Sequence, residues 1–245
     1  MDGYDETTYG ERFVDVYDDW YGDITDTDAC VTAVAELAGG GPILELGVGT
    51  GRLAIPLAQR GSRVTGIDSS PAMLDALAAK PGGREVRTIL GDMTEPATGD
   101  ERFAVVLIAY NTLFNLTGEG AQARCFASAA ARMAVSGCFV VEAFVPTVGQ
   151  EPVEAVVPKQ VTTDKVVLSV SRADPARQEI TGQYVEFTEA GGVRLRPWHL
   201  RWSTVEQLDA MASAVGLRLT RRWSDWSGSA FTDESGSHIS VYRHA

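Results

Sequence analysis

The turn Gly47-Val48-Gly49-Thr50-Gly51 follows a short apolar run, Pro42-Ile43-Leu44-Glu45-Leu46, and opens into a helical pattern from Arg52 to Arg60. Glycines this closely spaced accept positive φ angles and let a ligand approach the backbone. Asp68 stands at the end of the next apolar run, Ser62 to Ile67. A carboxylate in that place can accept both hydroxyls of a ribose. Asp92 closes a third run, Val86 to Leu90, where an adenine amino group would sit. Glycines and two carboxylates in this order point to a nucleoside bound across strand ends.

Two kinds of nucleoside ligand compete for such a site. A dinucleotide fingerprint wants a third small residue at position 52, so that helix and strand close around a pyrophosphate. Position 52 is Arg, the third glycine falls at Gly51, and a pyrophosphate would sit poorly beside Glu45 and Asp92. A sulfonium amino-acid nucleoside carries no phosphate, and its positive centre tolerates acidic neighbours. Spacing and charge therefore favour S-adenosylmethionine, a methyl donor.

The elements that must hold these residues can be read from periodicity. Phe13, Val16, Tyr17 and Trp20 recur at helical spacing over Tyr9 to Tyr21, which predicts one amphipathic helix ahead of the core. A second helix, about Asp28 to Ala38, stops at Gly39-Gly40-Gly41-Pro42. Ser69-Ser70-Pro71 supplies a cap and a first-turn proline to the helix carrying Met73, Leu74 and Leu77. Phe103 to Ala109 reads as a central parallel strand buried on both faces. Ala121 to Val135 reads as a helix closed by Ser136-Gly137, with Cys138 to Phe144 as a fifth strand. Strand and helix thus alternate five times, which predicts an α/β, Rossmann-like, mostly parallel sheet with helices on both faces.

Beyond this core, four β-rich runs follow without a helix: 153–158, 161–171, 178–188 and 193–202. They predict an antiparallel β cap inserted after the fifth strand. Ser203-Thr204-Val205-Glu206 has the form of a capping box, and two further strands, 217–223 and 238–242, would bring the main sheet to seven. The expected layout is an N-terminal helical lid over residues 1–29, a core formed by 30–150 and 203–245, and a cap over the acceptor site formed by 151–202.

Bulk properties narrow the setting. The chain has 245 residues, 44% of them apolar, and a formal charge of −12, so a full core is affordable while a nucleic-acid backbone or anionic membrane would be repelled. No apolar stretch reaches bilayer length and the N-terminus is acidic, so the expectation is a cytoplasmic enzyme. Cys30, Cys125 and Cys138 have no metal-ligand spacing and read as small buried hydrophobes; no metal site is legible. A homo-oligomer stays open, because a symmetric interface leaves no reliable mark on one sequence.

ILELGVGTGRLAIPLA, VTGIDSSPAML, ILGDM and a strand leading into NTLF together resemble the successive motifs of class I S-adenosylmethionine-dependent methyltransferases, over about residues 30–145. RWSTVEQLDAMASAVGLRLTRRW and HISVYR resemble the closing helix and strands of that fold. With YDETTYGERFVDVYDDWYG at the start, the chain resembles actinobacterial small-molecule methyltransferases, among them the lincosamide N-methyltransferases of antibiotic pathways. The resemblance implies a small-molecule acceptor. It implies that the backbone at Gly47, Gly49 and Gly51 cradles the methionine part of the donor, with Glu45 supporting its amino group. Asp68 would hold the ribose, and Ser69 and Met73 would lie near the adenosine. Asp92, with the Met93 backbone beside it, would meet the adenine, and Ala109 and Asn111 would border the sulfonium. For Asp92 and Asn111 the competing reading is turn and cap chemistry.

On the acceptor side, Tyr9 and Tyr17 would share one face of the lid helix, and Phe114 follows the fourth strand. These three aromatics are the candidates for contacting the reacting acceptor, through cation–π contact with an amine. A hydroxyl acceptor would need a base, for which His199, Glu142 and Glu186 are the candidates. Transfer to oxygen or carbon, or donor binding without turnover, stand as alternatives to transfer to nitrogen.

Overall fold

Ile43–Leu46 forms strand β1 with all four residues buried, as a strand covered on both faces requires. In this computed structural model, which describes all residues except 2, 23, 148 and 150, two short helices precede it: α1 (Thr8–Phe13) and α2 (Tyr17–Tyr21). α3 (Thr27–Ala38) leads into β1. Then come α4 (Ala54–Gln59), β2 (Val64–Asp68), α5 (Pro71–Ala79), β3 (Arg87–Leu90) and β4 (Phe103–Ile108). α6 (Ala121–Arg132) and β5 (Met133–Phe144) follow. Four strands form the cap: β6 (Val153–Val161), β7 (Lys165–Asp174), β8 (Glu179–Thr188) and β9 (Val193–Arg201). α7 (Val205–Ala214), β10 (Leu217–Trp223) and β11 (Ser237–His244) finish the chain.

The main sheet has seven strands in the order β10-β11-β5-β4-β1-β2-β3, and the cap is a separate four-stranded sheet ordered β6-β7-β8-β9. β1 through β5 pair in parallel, whereas β11 runs antiparallel to both its neighbours. Order reverses between β1 and β4, so the strand ends there open a crevice in which open α/β sheets bind ligands. Two apolar clusters flank the sheet, one beneath α3 and α4 and the other beneath α6 and α7. Cys30, Cys125 and Cys138 are all buried and unpaired within them. Among the described residues, no helix is long and apolar enough to cross a membrane.

Capping explains where helices begin. Ser70 accepts a hydrogen bond from the Met73 amide with Pro71 in the first turn, and Asp26 does the same for Ala29 at the start of α3. Gly39, at φ 54°, ends α3 in the left-handed conformation.

Four local readings need correction. The predicted lid helix is two helices, because Val16 leaves helical geometry at φ −122° and ψ −2°. That bend lets Phe13 of α1 and Tyr21 of α2 both bury against Met73. No helix separates β3 from β4; residues 91–102 form a loop. β5 starts five residues before Cys138, and Gly137 lies inside it, where a Cβ would come within 2.7 Å of the Phe103 carbonyl. The capping box is real but sits one residue on, between Thr204 and Gln207.

Candidate active site

A cleft of about 760 Å³, its open mouth included, lies over the C-terminal ends of β1 and β2 and beneath the lid. Its floor includes Gly47 and Gly49, its wall Asp68, Ser69 and Met73, and its far end Gly91, Asp92 and Met93. The glycine turn works as its spacing suggested: Gly47 and Gly49 take φ of 72° and 55°. A Cβ on Gly47 would fall 2.3 Å from Thr112 Cγ2, so only glycine keeps this approach open.

The carboxylates are held by backbone. Asp68 accepts from the amides of Gly49 (2.8 Å) and Ser70 (2.9 Å), which fixes its plane at the cleft wall. Burial raises its pKa against those hydrogen bonds. Asp92 accepts from the amide and the hydroxyl of Thr94, both at 2.7 Å, so turn chemistry and a place in the cleft coexist. Ser69 Oγ donates to the Glu6 carbonyl at 2.9 Å and ties the lid to the cleft rim. Glu45 lies buried near the end of β1, behind the glycine turn rather than among the residues lining the cleft; its Oε2 has no hydrogen-bond partner, and burial pushes its pKa up to about 8. An orphaned carboxylate, a backbone cradle and two fixed carboxylates fit a donor with an ammonium, a ribose and an adenine.

A second cavity, about 680 Å³ with its mouth, lies between the lid and the cap sheet. Tyr21, Tyr110, Asn111, Tyr184, Trp198 and Leu200 line it, with no charged side chain among its lining residues. Tyr9, Tyr17, Thr112 and Asn115 line both cavities, so the two sites meet at these four residues. Tyr9 stacks on Phe13 at 4.3 Å and meets Tyr17 edge-on at 6.5 Å. Burial pushes Tyr17 up to about 12 and Tyr9 well above the usual phenol range, so both stay protonated at neutral pH. Asn115 Oδ1 is buried without a partner at this junction, while its Nδ2 reaches the Thr112 carbonyl at 3.4 Å.

Other sequence candidates lie elsewhere. Phe114 is fully buried against Phe144 in the core beneath α6 and lines neither cavity, because the helical turn after Asn111 rotates it inward. Gly51 also faces the core: a Cβ there would meet Leu77 at 2.8 Å, so its φ of 84° serves helix packing. Ala109 is buried and lines neither cavity. Asn111 borders the second cavity, not the donor cleft, and its Oδ1 accepts from the Phe144 amide at 2.7 Å. His199 lies 3.8 Å from Glu179, a pairing that sequence spacing concealed, and lines neither cavity.

Tyr21, Tyr110, Tyr184, Trp198, Thr112 and Asn115 are among the lining residues that sequence reasoning did not select. Thr112 and Asn115 had a signal, since one lies in the NTLF motif after β4 and the other directly follows it. Tyr184 and Trp198 had none. They come together through strand register: Trp198 pairs with Gly182, whose missing side chain makes room for the indole, with Tyr184 beside it.

A cleft whose residues fit a sulfonium nucleoside, meeting a second cavity on a seven-stranded α/β sheet, is the arrangement of a Rossmann-like methyltransferase. A family model described as a methyltransferase domain matches residues 43–137. The solved CcbJ methyltransferase from Streptomyces caelestis is 39% identical with a TM-score of 0.92, over 99% of this chain and 100% of that one. The cypemycin N-terminal methyltransferase of a Streptomyces species is 27% identical over 208 residues, 82% of each chain. The S-adenosylmethionine-bound CalS10 structure from Micromonospora echinaspora shares the fold at a TM-score of 0.67 and 21% identity, over 92% of this chain and 96% of that one. The chain belongs to the class I S-adenosylmethionine-dependent methyltransferases, and its cofactor is S-adenosylmethionine.

Proposed function

We propose that the enzyme methylates an amine nitrogen of a small molecule of secondary metabolism, the acceptor entering between lid and cap. One observation carries this reading: no side chain lining the acceptor cavity takes up a proton at neutral pH. The bases a hydroxyl acceptor would need are committed elsewhere. Glu142 accepts from the Trp226 indole and the Tyr110 amide, Glu186 pairs with Arg196, and His199 lies outside the cavity. A neutral amine needs no base, because its lone pair attacks directly and its proton leaves to solvent afterwards.

The cofactor supplies a methyl group on a positively charged leaving sulfur. The protein supplies alignment and exclusion of water. Asn115 Oδ1, unpartnered at the junction, would accept an amine N–H and turn the lone pair toward the donor side. Tyr9 and Tyr17 would present ring faces and phenol oxygens to a cationic centre there. Asp68, Asp92 and Glu45 would hold the ribose, adenine and amino group of the donor. The name of the cypemycin relative, an N-terminal methyltransferase, agrees with a nitrogen acceptor.

The test has two stages. Calorimetry with S-adenosylhomocysteine should give micromolar binding that Asp68→Ala weakens at least tenfold, about 1.4 kcal/mol. Methyl transfer from labelled S-adenosylmethionine should then favour amines over matched alcohols, with the amine rate rising as pH approaches the amine pKa. Asn115→Leu should lower kcat by roughly 10²-fold, a larger effect than on donor affinity. Preferential transfer to the alcohols would sink the nitrogen assignment.

A further inference from the structure

Lys159 sits at the lid–cap contact, its ammonium over the rings of Trp20 and Tyr21 of the lid and Tyr184 of the cap. On the same face, Arg194 and Arg196 both engage Asp15, and Arg196 also reaches Glu186. Lys159 forms no ion pair or hydrogen bond among the described residues. Its ammonium stands 5.0 Å from the Trp20 ring centroid and 5.3 Å from those of Tyr21 and Tyr184. It belongs to edge strand β6 at a register break between Pro158 and Gln160, an irregularity of the kind that re-aims a side chain beside a functional site.

Tyr21 and Tyr184, two of the three rings under this ammonium, line the acceptor cavity. Trp198 also lines this cavity, and its indole N–H is buried without an acceptor. The nearby carboxylates, Asp15 and Glu186, are engaged by Arg194 and Arg196, so the Lys159 ammonium is left to solvent and to the rings beneath it. Cation–π contacts hold the ammonium of this exposed lysine over the rings but leave its charge unneutralised. Partial burial of the ammonium beside the rings lowers the Lys159 pKa, although the residue as a whole is exposed.

Resting on the small-molecule reading above, we infer that the acceptor carries an oxyanion, a carboxylate or a phosphate, which pairs with Lys159 when its nucleophile is at the Tyr9–Asn115 junction. Such a group neutralises the ammonium over the aromatic wall and gives the acceptor a fixed second anchor away from the reacting atom. Charge-assisted pairing of this kind selects among acceptors by the rest of their structure. It also supplies a local attraction for an anion on a chain whose net charge of −12 would otherwise repel one.

The probes are 3-phenylpropionate, the isosteric 3-phenylpropionamide and 2-phenylethyl phosphate, titrated by calorimetry into the full-length protein saturated with S-adenosylhomocysteine. The expected result is that at least one anionic probe binds about tenfold or more tightly than the amide, and the better of the two identifies the oxyanion. Lys159→Met should shrink that advantage to about twofold, with the amide and S-adenosylhomocysteine affinities and the melting temperature unchanged. An amide that binds as well as both anions, an advantage that survives in Lys159→Met, or no measurable binding of either anion would each overturn the inference. Failure of S-adenosylhomocysteine to bind would instead sink the donor reading. The same probe comparison on the free protein then decides the role of Lys159 separately.

Discussion

The Tyr110 amide donates a 2.8 Å hydrogen bond to Oε2 of Glu142, across the gap between the ends of β4 and β5. Tyr110 and Asn111 are consecutive non-glycine residues with positive φ, 40° and 63°, and both line the acceptor cavity. Such backbone costs of order 1–3 kcal/mol per residue and persists only where surroundings over-determine it. Glu142 is 7% exposed, accepts from the Trp226 indole through its other oxygen, and offers its own carbonyl to the Asn111 amide. A buried carboxylate thus sets the wall between acceptor and donor.

Glu142→Gln replaces one of two acceptor oxygens with a donor, which must then face either the Tyr110 amide or the Trp226 indole. The expected outcome is a loss of kcat/KM for the acceptor of roughly 10²-fold. Donor affinity by calorimetry should change less than threefold, since Glu142 does not line the donor cleft. An equal loss in both would assign Glu142 to general stability.

Glu45 predicts a pH dependence of donor binding. Burial moves its pKa up to about 8, so at pH 6 it is neutral in the free protein. Pairing with the donor ammonium requires the carboxylate, so S-adenosylhomocysteine affinity should rise by up to about tenfold per pH unit from pH 6 toward 8. Glu45→Gln should flatten that slope. The folding linkage has the same origin. Glu45 is ionised in the unfolded chain and neutral in the free folded protein, so its contribution falls as pH rises from the ordinary carboxylate range through about 8. Melting curves should show Glu45→Gln gaining on the parent protein across that window.

Gly47→Ala must place a Cβ at 2.3 Å from Thr112 Cγ2 on backbone with φ 72°. The expectation is a melting temperature lower by roughly 4–8 °C, with donor affinity reduced at least tenfold. Gly91→Ala is the internal comparison. Gly91 lines the same cleft, yet it lacks positive φ and has nothing within 4 Å of an added Cβ. It should be close to neutral in both measurements.

The lid is latched to the cap by Asp15, which receives Nη1 of Arg196 at 2.6 Å and Nη2 at 3.0 Å. The Arg196 side chain is 1% exposed. Asp15→Ala removes its main counter-ion and should destabilise the lid by roughly 2 kcal/mol, less than for a fully buried pair because Asp15 is partly solvated. Hydrogen exchange over residues 8–21 should quicken and S-adenosylhomocysteine should dissociate faster. Arg196→Met should cost less, since it removes the buried charge rather than stranding it.

The donor cleft was legible because its chemistry is local in the chain. A glycine turn between a strand and a helix is specified by a handful of neighbours, and Asp68, Ser69 and Asp92 are placed by the ends of their own strands. Phe114 was misplaced for a related reason. Adjacency to a motif does not say which way a residue points, and one helical turn sends a side chain from cavity to core. Lys159 had no signal at all, being a single lysine in a strand otherwise rich in valine.

Period and punctuation in the sequence alone determined the seven-strand α/β core, the four-stranded cap, the order of the motifs and the class of donor, since each depends on contacts within a few residues. Tertiary structure decided which aromatics meet at the acceptor. Tyr9, Tyr110, Tyr184 and Trp198 come from α1, the end of β4, β8 and β9, and only the docking of lid and cap onto the sheet brings them to one cavity. Such convergence depends on strand register and on the bend at Val16, both settled by packing across the whole molecule rather than by local spacing.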